Sequence, residues 1–187
     1  MFIRVRDLET EALEFDREFP AGHIDLGAEM QQRSPLHVQG RAELIEERTH
    51  GVKETIKDIR LTGSFSGQVE VQCARCLAAV TRDVRTDFDL LYRPLGAVQR
   101  DDEVSISEAE TEVGFYKGDG LVLEDVMREQ VLLAVPVKAL CREDCRGLCP
   151  QCGQDLNQGK CGCVATSSDP RWNALREIRS KLEDQSS

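Results

Sequence analysis

Eight cysteines fall into four close pairs: Cys73-Ala-Arg-Cys76, Cys141-Arg-Glu-Asp-Cys145, Cys149-Pro-Gln-Cys152 and Cys161-Gly-Cys163. Thiolates separated by one to three residues can grip one tetrahedral ion from two sides, at zinc–sulfur distances of about 2.3 Å. Cys149-Pro-Gln-Cys152-Gly153 is the most specific of the four. Its proline and glycine supply the backbone angles of a tight knuckle, whose N–H groups point at the sulfurs. Gly162 makes the still tighter Cys161–Cys163 turn feasible. The intervening stretch GQDLNQGK is long enough to fold back, so Cys149, Cys152, Cys161 and Cys163 are assigned to one site.

Cys73, Cys76, Cys141 and Cys145 remain. A second four-thiolate site would tie the upstream pair to the segment preceding the knuckle. The alternative is a single site drawn from the six late cysteines, with Cys73 and Cys76 free; spacing alone does not fix the pairing. The expectation is thus one or two structural zinc ions. Iron–sulfur ligation is disfavoured, since the spacings match none of the common ferredoxin runs. Each four-thiolate zinc carries formal charge −2. Arg75, Arg142, Arg146 and Lys160 stand beside the ligands and are candidates to offset it through N–H contacts to sulfur.

Catalysis fits these residues poorly. A catalytic zinc keeps an open position and commonly uses His or carboxylate ligands, whereas His23, His37 and His50 lie far upstream in strand or loop contexts. A thioredoxin-like role for Cys73–Cys76 would need a helix start in a βαβ setting, and its flanks read as hairpin strands. No GxSxG, HExxH or phosphate-cradling glycine loop occurs. The expectation is no enzyme and no small-molecule substrate.

The elements that must position the thiols can be read from periodicity. Phe2–Val5, Ala12–Phe19, Leu36–Arg48, Thr55–Gln72 and Leu77–Tyr92 alternate as strands, and Cys73–Cys76 falls where the last two should turn. Gly63 and Gly67 suggest a bulge or sharp bend. Weaker strands are expected near Glu103–Ile106 and Thr111–Tyr116. Leu123, Val126, Met127, Gln130, Val131 and Ala134 then recur at helical spacing, stopped by Pro136. Asp169-Pro170 opens a short final helix carrying Trp172, Leu175 and Leu182 on one face. The fold class is α+β: an antiparallel, strongly bent β-sheet or open barrel with a packed helix, followed by a C-terminal cysteine-rich zinc module and terminal helix. The expected division is residues 1–137, a β-rich domain, and 138–187, a metal-binding module.

At 40% hydrophobic residues, the chain of 187 can bury a core without help from metal. Its net charge of −10 argues against bulk electrostatic binding of nucleic acid. The charge is uneven, because residues 138–187 hold 8 basic and 7 acidic side chains. No signal peptide or membrane span is legible, and clustered thiols suit a reducing compartment, so a cytoplasmic location is expected. A zinc-dependent nucleic-acid adaptor and, less favoured, a CxxC redox protein stay open from the residues alone.

CARCL on a hairpin, EDVMREQVLLAVPVKALC, CRGLCPQCGQDLN, CGC and DPRW, in that order, resemble the YceD family over about Val69–Leu182. That resemblance implies a role in accumulation of 23S ribosomal RNA and hence in large-subunit biogenesis, which together with the residues above makes a non-catalytic factor the expectation. The partners it implies are large-subunit ribosomal RNA or an assembly precursor, with a basic ribosomal protein as a further candidate for the acidic first part. The near-neutral tail, with Arg171, Arg176, Arg179 and Lys181, is the part suited to RNA.

Overall fold

The computed structural model describes residues 1–47, 55–96, 113–163 and Ile178. The strand expected at Glu103–Ile106, His50 and, apart from Ile178, the final helix lie outside them. Two compact units divide the chain, Met1–Cys145 and Arg146–Ser187. The division falls after Cys145, so Cys141 and Cys145 belong to the first unit.

That unit is built on an open sheet of six strands. They are β2 (Leu13–Phe19), β3 (Met30–Gln32), β4 (Leu36–Glu47), β5 (Ile56–Gln72), β6 (Ala79–Pro94) and β7 (Val113–Tyr116). The order runs β2-β4-β5-β6-β7, with β3 on β5. A separate antiparallel ribbon joins β1 (Phe2–Arg4) to β8 (Gly120–Val122). Two helices complete the described elements, the short α1 (Val5–Leu8) and α2 (Leu123–Ala134).

Alternation decides which face is covered. Phe15 and Phe19 of β2, Leu36, Val38 and Ala42 of β4, Ile59, Leu61, Phe65, Val69 and Val71 of β5, and Val84 and Phe88 of β6 all point to one side and are buried. The helix α2 supplies Leu123, Val126, Met127 and Val131 to the same core, the i, i+3, i+4, i+8 stripe of an amphipathic helix. It ends where Val135 turns extended ahead of Pro136, because a proline ring crowds the α conformation of the residue before it. The opposite sheet face is polar, as the rows Asp16–Gln39–Ser64–Asp87 and Glu18–His37–Ser66–Arg85 show.

Three expectations are corrected. Gly63 and Gly67 make no bulge, since β5 stays in continuous register with β4 and β6 through both. Instead Phe15, Gly40, Gly63 and Phe88 form one row across four strands. The missing side chains let the backbones crowd and the two phenyl rings lie over the gap. The sheet is also not wholly antiparallel, because β7 pairs with β6 in parallel, Leu91 with Val113 through Pro94 with Tyr116. Eighteen residues separate these strands, enough chain to return to the same end of the sheet. Finally β3 forms between Phe19 and Leu36, where the periodicity marked no strand. β5 outruns β4, and β3 takes the vacant edge at Val69–Val71.

Gln32 fixes that turn. It is buried and fully used: its Nε2 donates to the carbonyls of Phe19 (2.9 Å) and Ser34 (3.0 Å), and its Oε1 accepts from Ile24 N–H (2.9 Å). A buried ion pair braces the far end of β5. Asp58, 1% exposed, receives Arg93 Nη2 at 2.7 Å and Nε at 3.1 Å. Asp58→Asn keeps the shape but removes the charge assistance, so about 1.5–3 kcal/mol of stability should be lost in urea unfolding at unchanged m-value. A change under a few tenths would mean that Arg93 is held elsewhere.

Candidate metal centres

The β5–β6 hairpin closes at Gln72 and Ala79, leaving Cys73–Ala78 as its tip. There Cys73 N–H donates to the Ala78 carbonyl (2.8 Å) and Leu77 N–H to the Cys73 carbonyl (2.9 Å). The same two bonds recur in the second unit, where Cys149 N–H meets the Gln154 carbonyl (2.8 Å) and Gly153 N–H the Cys149 carbonyl (2.9 Å). Sequence spacing alone did not show that the two CxxC pairs adopt one loop. The residue after the second cysteine must then take positive φ. Gly153 does so at 75°, and Leu77 at 61° is the only non-glycine with positive φ among the described residues. A β-carbon there is strained, so Leu77→Gly should raise stability by about 0.5–1 kcal/mol in thermal unfolding; a loss would show that the leucine side chain holds the tip.

The hairpin tip meets the chain that follows α2. Ala74 N–H donates to the Ala139 carbonyl (2.8 Å), and Arg82 donates to that of Leu140. Arg75 Nη1 reaches the carbonyls of Cys145 (2.7 Å) and Glu143 (3.3 Å). These bonds bring Cys141 and Cys145 against Cys73 and Cys76, with all four sulfurs within 4.8 Å of one another. Cys73 and Cys145 stand 3.9 Å apart, Cys76 and Cys141 3.7 Å. Four sulfurs held about 2.3 Å from a tetrahedral ion lie roughly 3.8 Å from each other, whereas a disulfide needs about 2.05 Å. The donor set therefore fits a metal and not a bridge.

In the second unit Cys149, Cys152, Cys161 and Cys163 likewise lie within 4.8 Å of one another. Their scaffold includes residues the sequence reading left as spacer. Leu148 and Asp155 form a bridge, and Leu156 N–H bonds the Gly147 carbonyl (2.9 Å). Asp155 Oδ1 accepts from Asn157 N–H (2.9 Å), while Asn157 Oδ1 accepts from Arg146 N–H (2.8 Å). The signal was present in the Asp-Leu-Asn tripeptide, since Asp and Asn side chains close turns on their own backbone.

Burial separates the sites. Cys73, Cys76 and Cys145 are buried with only Cys141 exposed, whereas only Cys149 is buried in the second set. Electrostatics repeats between them. N–H groups of Cys76, Arg75 and Cys141 lower Cys73 to about 6, and those of Cys152 and Gln151 lower Cys149 to about 6. Crowding sulfurs, Cys145 foremost at one site and Cys152 at the other, push Cys141 and Cys163 up to about 12. The donors to sulfur are thus backbone groups, while the Arg75 side chain binds carbonyls.

Signs follow for the metal-free protein. Cys73 and Cys149 ionise more readily folded, so their contribution grows as pH rises from 6 to 9 and is lost as pH falls through 6. Cys141 and Cys163 keep protons that the unfolded chain sheds, so stability falls from 9 to 12. Under chelator and reductant, the melting-temperature advantage of the wild type over Cys73→Ser should widen as pH rises from 6 to 9. An advantage that narrows over that range would contradict this assignment.

Among the described residues no helix is long and apolar enough to cross a membrane. Comparison with known proteins adds the following. A protein of Mycobacterium tuberculosis H37Rv named as uncharacterised is 32% identical over 127 residues, 68% of this chain and 58% of that protein. Another of Mycobacterium leprae is 27% identical over 128 residues, 68% of this chain and 56% of its own length. The chloroplastic large ribosomal RNA subunit accumulation protein YCED homolog 1 of Arabidopsis thaliana is 22% identical over 149 residues, 68% of this chain and 46% of that protein. The chain thus spans under two thirds of the curated relatives it matches. No solved structure matches. The model of the large ribosomal RNA subunit accumulation protein YceD matches residues 61–179, a span that takes in all eight cysteines, and the chain belongs to the YceD family.

Proposed function

We propose that this protein is a non-catalytic factor in large ribosomal subunit biogenesis, supporting accumulation of 23S ribosomal RNA, and that both cysteine tetrads bind structural zinc. The family match carries the first part. The second part rests on all-thiolate donor sets, which suit zinc in closed structural sites. The ligands are Cys73, Cys76, Cys141 and Cys145 in one site, and Cys149, Cys152, Cys161 and Cys163 in the other. With four thiolates each, neither site keeps a position for substrate, which supports a scaffold in place of a reaction centre. The working location is the cytoplasm, and the partner is large-subunit ribosomal RNA or an assembly precursor.

The test is genetic and analytical together. Cells lacking the protein should show a lowered ratio of 23S to 16S ribosomal RNA, restored by the wild-type chain and not by a variant lacking both Cys73 and Cys149. Native protein should carry two zinc ions per chain. An unchanged ratio would sink the biogenesis reading, and protein free of zinc would sink the structural one.

A further inference from the structure

One end of the sheet is left open in a specific way. β7 and β8 are joined by a tight turn at Gly118-Asp119 and bridged at Lys117–Gly120. Beyond that bridge no ladder joins them among the described residues: β8 pairs with β1 in a separate ribbon, and β7 pairs with β6. The Tyr116 carbonyl accepts from Leu95 N–H at 2.8 Å, so Tyr116 and, by alternation, Gly114 turn their backbone groups toward β6. Val113 and Phe115 then turn N–H and C=O outward, into the wedge between the two strands. Among the described residues β7 ends the sheet on that side.

The wedge is lined for side chains as well as backbone. Phe115 is 61% exposed, with Phe2 and Val122, a cross-strand pair, 41% and 37% exposed. These three share one depression with Asp125 and Glu129 of α2 and with Lys117, all exposed. Large exposed apolar groups beside an unpaired strand edge mark a protein-binding surface or an aggregation hazard. Two carboxylates against the one ammonium of Lys117 leave the lining net negative, favouring a cationic occupant and opposing nucleic-acid phosphate.

We infer that the β7–β8 wedge binds an extended segment of a partner protein, alternating apolar and basic residues, which adds as a strand to the outer edge of β7. The apolar side chains enter between Phe2, Phe115 and Val122, and a Lys or Arg on the segment faces Asp125 and Glu129. Main-chain bonds give affinity and the alternate side chains give selectivity, as in other strand additions. The inference rests on the assembly-factor reading only for what the partner is, a basic protein of the subunit being built.

The probe is a fluorescent (Val-Lys)4 peptide, titrated against the full zinc-loaded chain, with (Val-Glu)4 as control. Binding should be at least tenfold tighter for (Val-Lys)4 and should slow amide exchange at Phe115. Phe115→Ser, at an exposed position, should weaken it at least tenfold. Asp125→Lys with Glu129→Lys should reverse the preference between the two peptides. Equal affinity for the Ser variant, or protection confined to the polar sheet face around Asp16 and Asp87, would overturn the site. Protection of Phe115 by a 20-nucleotide single-stranded RNA in place of the peptide would also overturn it, as would concentration-dependent self-association lost in the Ser variant. A failed titration beside a lowered 23S ratio in cells lacking the protein rejects this surface and leaves the biogenesis role standing.

Discussion

Cys73→Ser should cut bound zinc from two ions per chain to one and free the hairpin tip from the segment after α2, while the sheet stays folded. Structural zinc supplies on the order of 10 kcal/mol in small zinc modules, and at the proposed site that energy would act on one joint. Cys73 sits at the end of β5 and its sulfur is 3.9 Å from that of Cys145, so without the ion the joint keeps only a few hydrogen bonds. The apolar core is a separate matter: Val38, Ile59, Leu61 and Met127 are fully buried without any cysteine among them. Hydrogen exchange reads the two apart. The amide of Ala74, bonded to the Ala139 carbonyl, should lose protection, while those of Leu61 and Val38 keep theirs. Cys163→Ser should remove the other ion and leave Ala74 protected. Two ions and an intact Ala74 amide in the Cys73 variant would refute the tetrad.

Gly63→Ala should destabilise the first unit by about 4 kcal/mol, among the largest effects of any single methyl added to the chain. A methyl on Gly63 overlaps the Gln39 carbonyl oxygen, and lies 2.7 Å from Gly40 Cα and 2.9 Å from Phe88 Cζ. Two of those neighbours are backbone atoms of the adjacent strand and cannot rotate aside. Gly40→Ala should behave alike, since its methyl would lie 2.5 Å from the Thr62 carbonyl oxygen and 2.8 Å from Phe15 Cζ. The two losses should not add, because one displacement of β4 from β5 relieves both. Gly159, with open space around it and no left-handed backbone, is a control for glycine replacement outside the row. A loss below 1 kcal/mol for Gly63→Ala would mean that the strands have room to separate.

Local pattern explains which parts of this fold were legible. β2, β4, β5, β6 and α2 each bury one face, and their periodicity marks them within a residue or two. A strand at Thr111–Tyr116 was legible and β7 lies there, but its parallel pairing and the whole of β3 were not, because each forms on an edge supplied by a distant strand. Nothing in Met30-Gln31-Gln32 announces that Val69–Val71 lacks a partner on that side. At the metal centres, CPQCG declared its own turn through proline and glycine. Cys73-Ala-Arg-Cys76 did not, since Leu77 stands where Gly153 stands in the other loop. The arginines flanking the ligands suggested charge compensation at sulfur. For Arg75 the structure gives a different role, a clasp on two carbonyls across the joint.

The hairpin-tip site also imposes an order in time. Cys76 and Cys141 are 65 positions apart, and a ribosome adding 5–20 residues per second needs about 3 to 13 s to make that stretch. During this interval the first two thiols are outside without their partners, and the sheet between them is still gaining β7 and α2. The centre can close only when nearly the whole first unit has been made. An ion captured there therefore records that synthesis has passed Cys145 and that the sheet has delivered its tip to the right place.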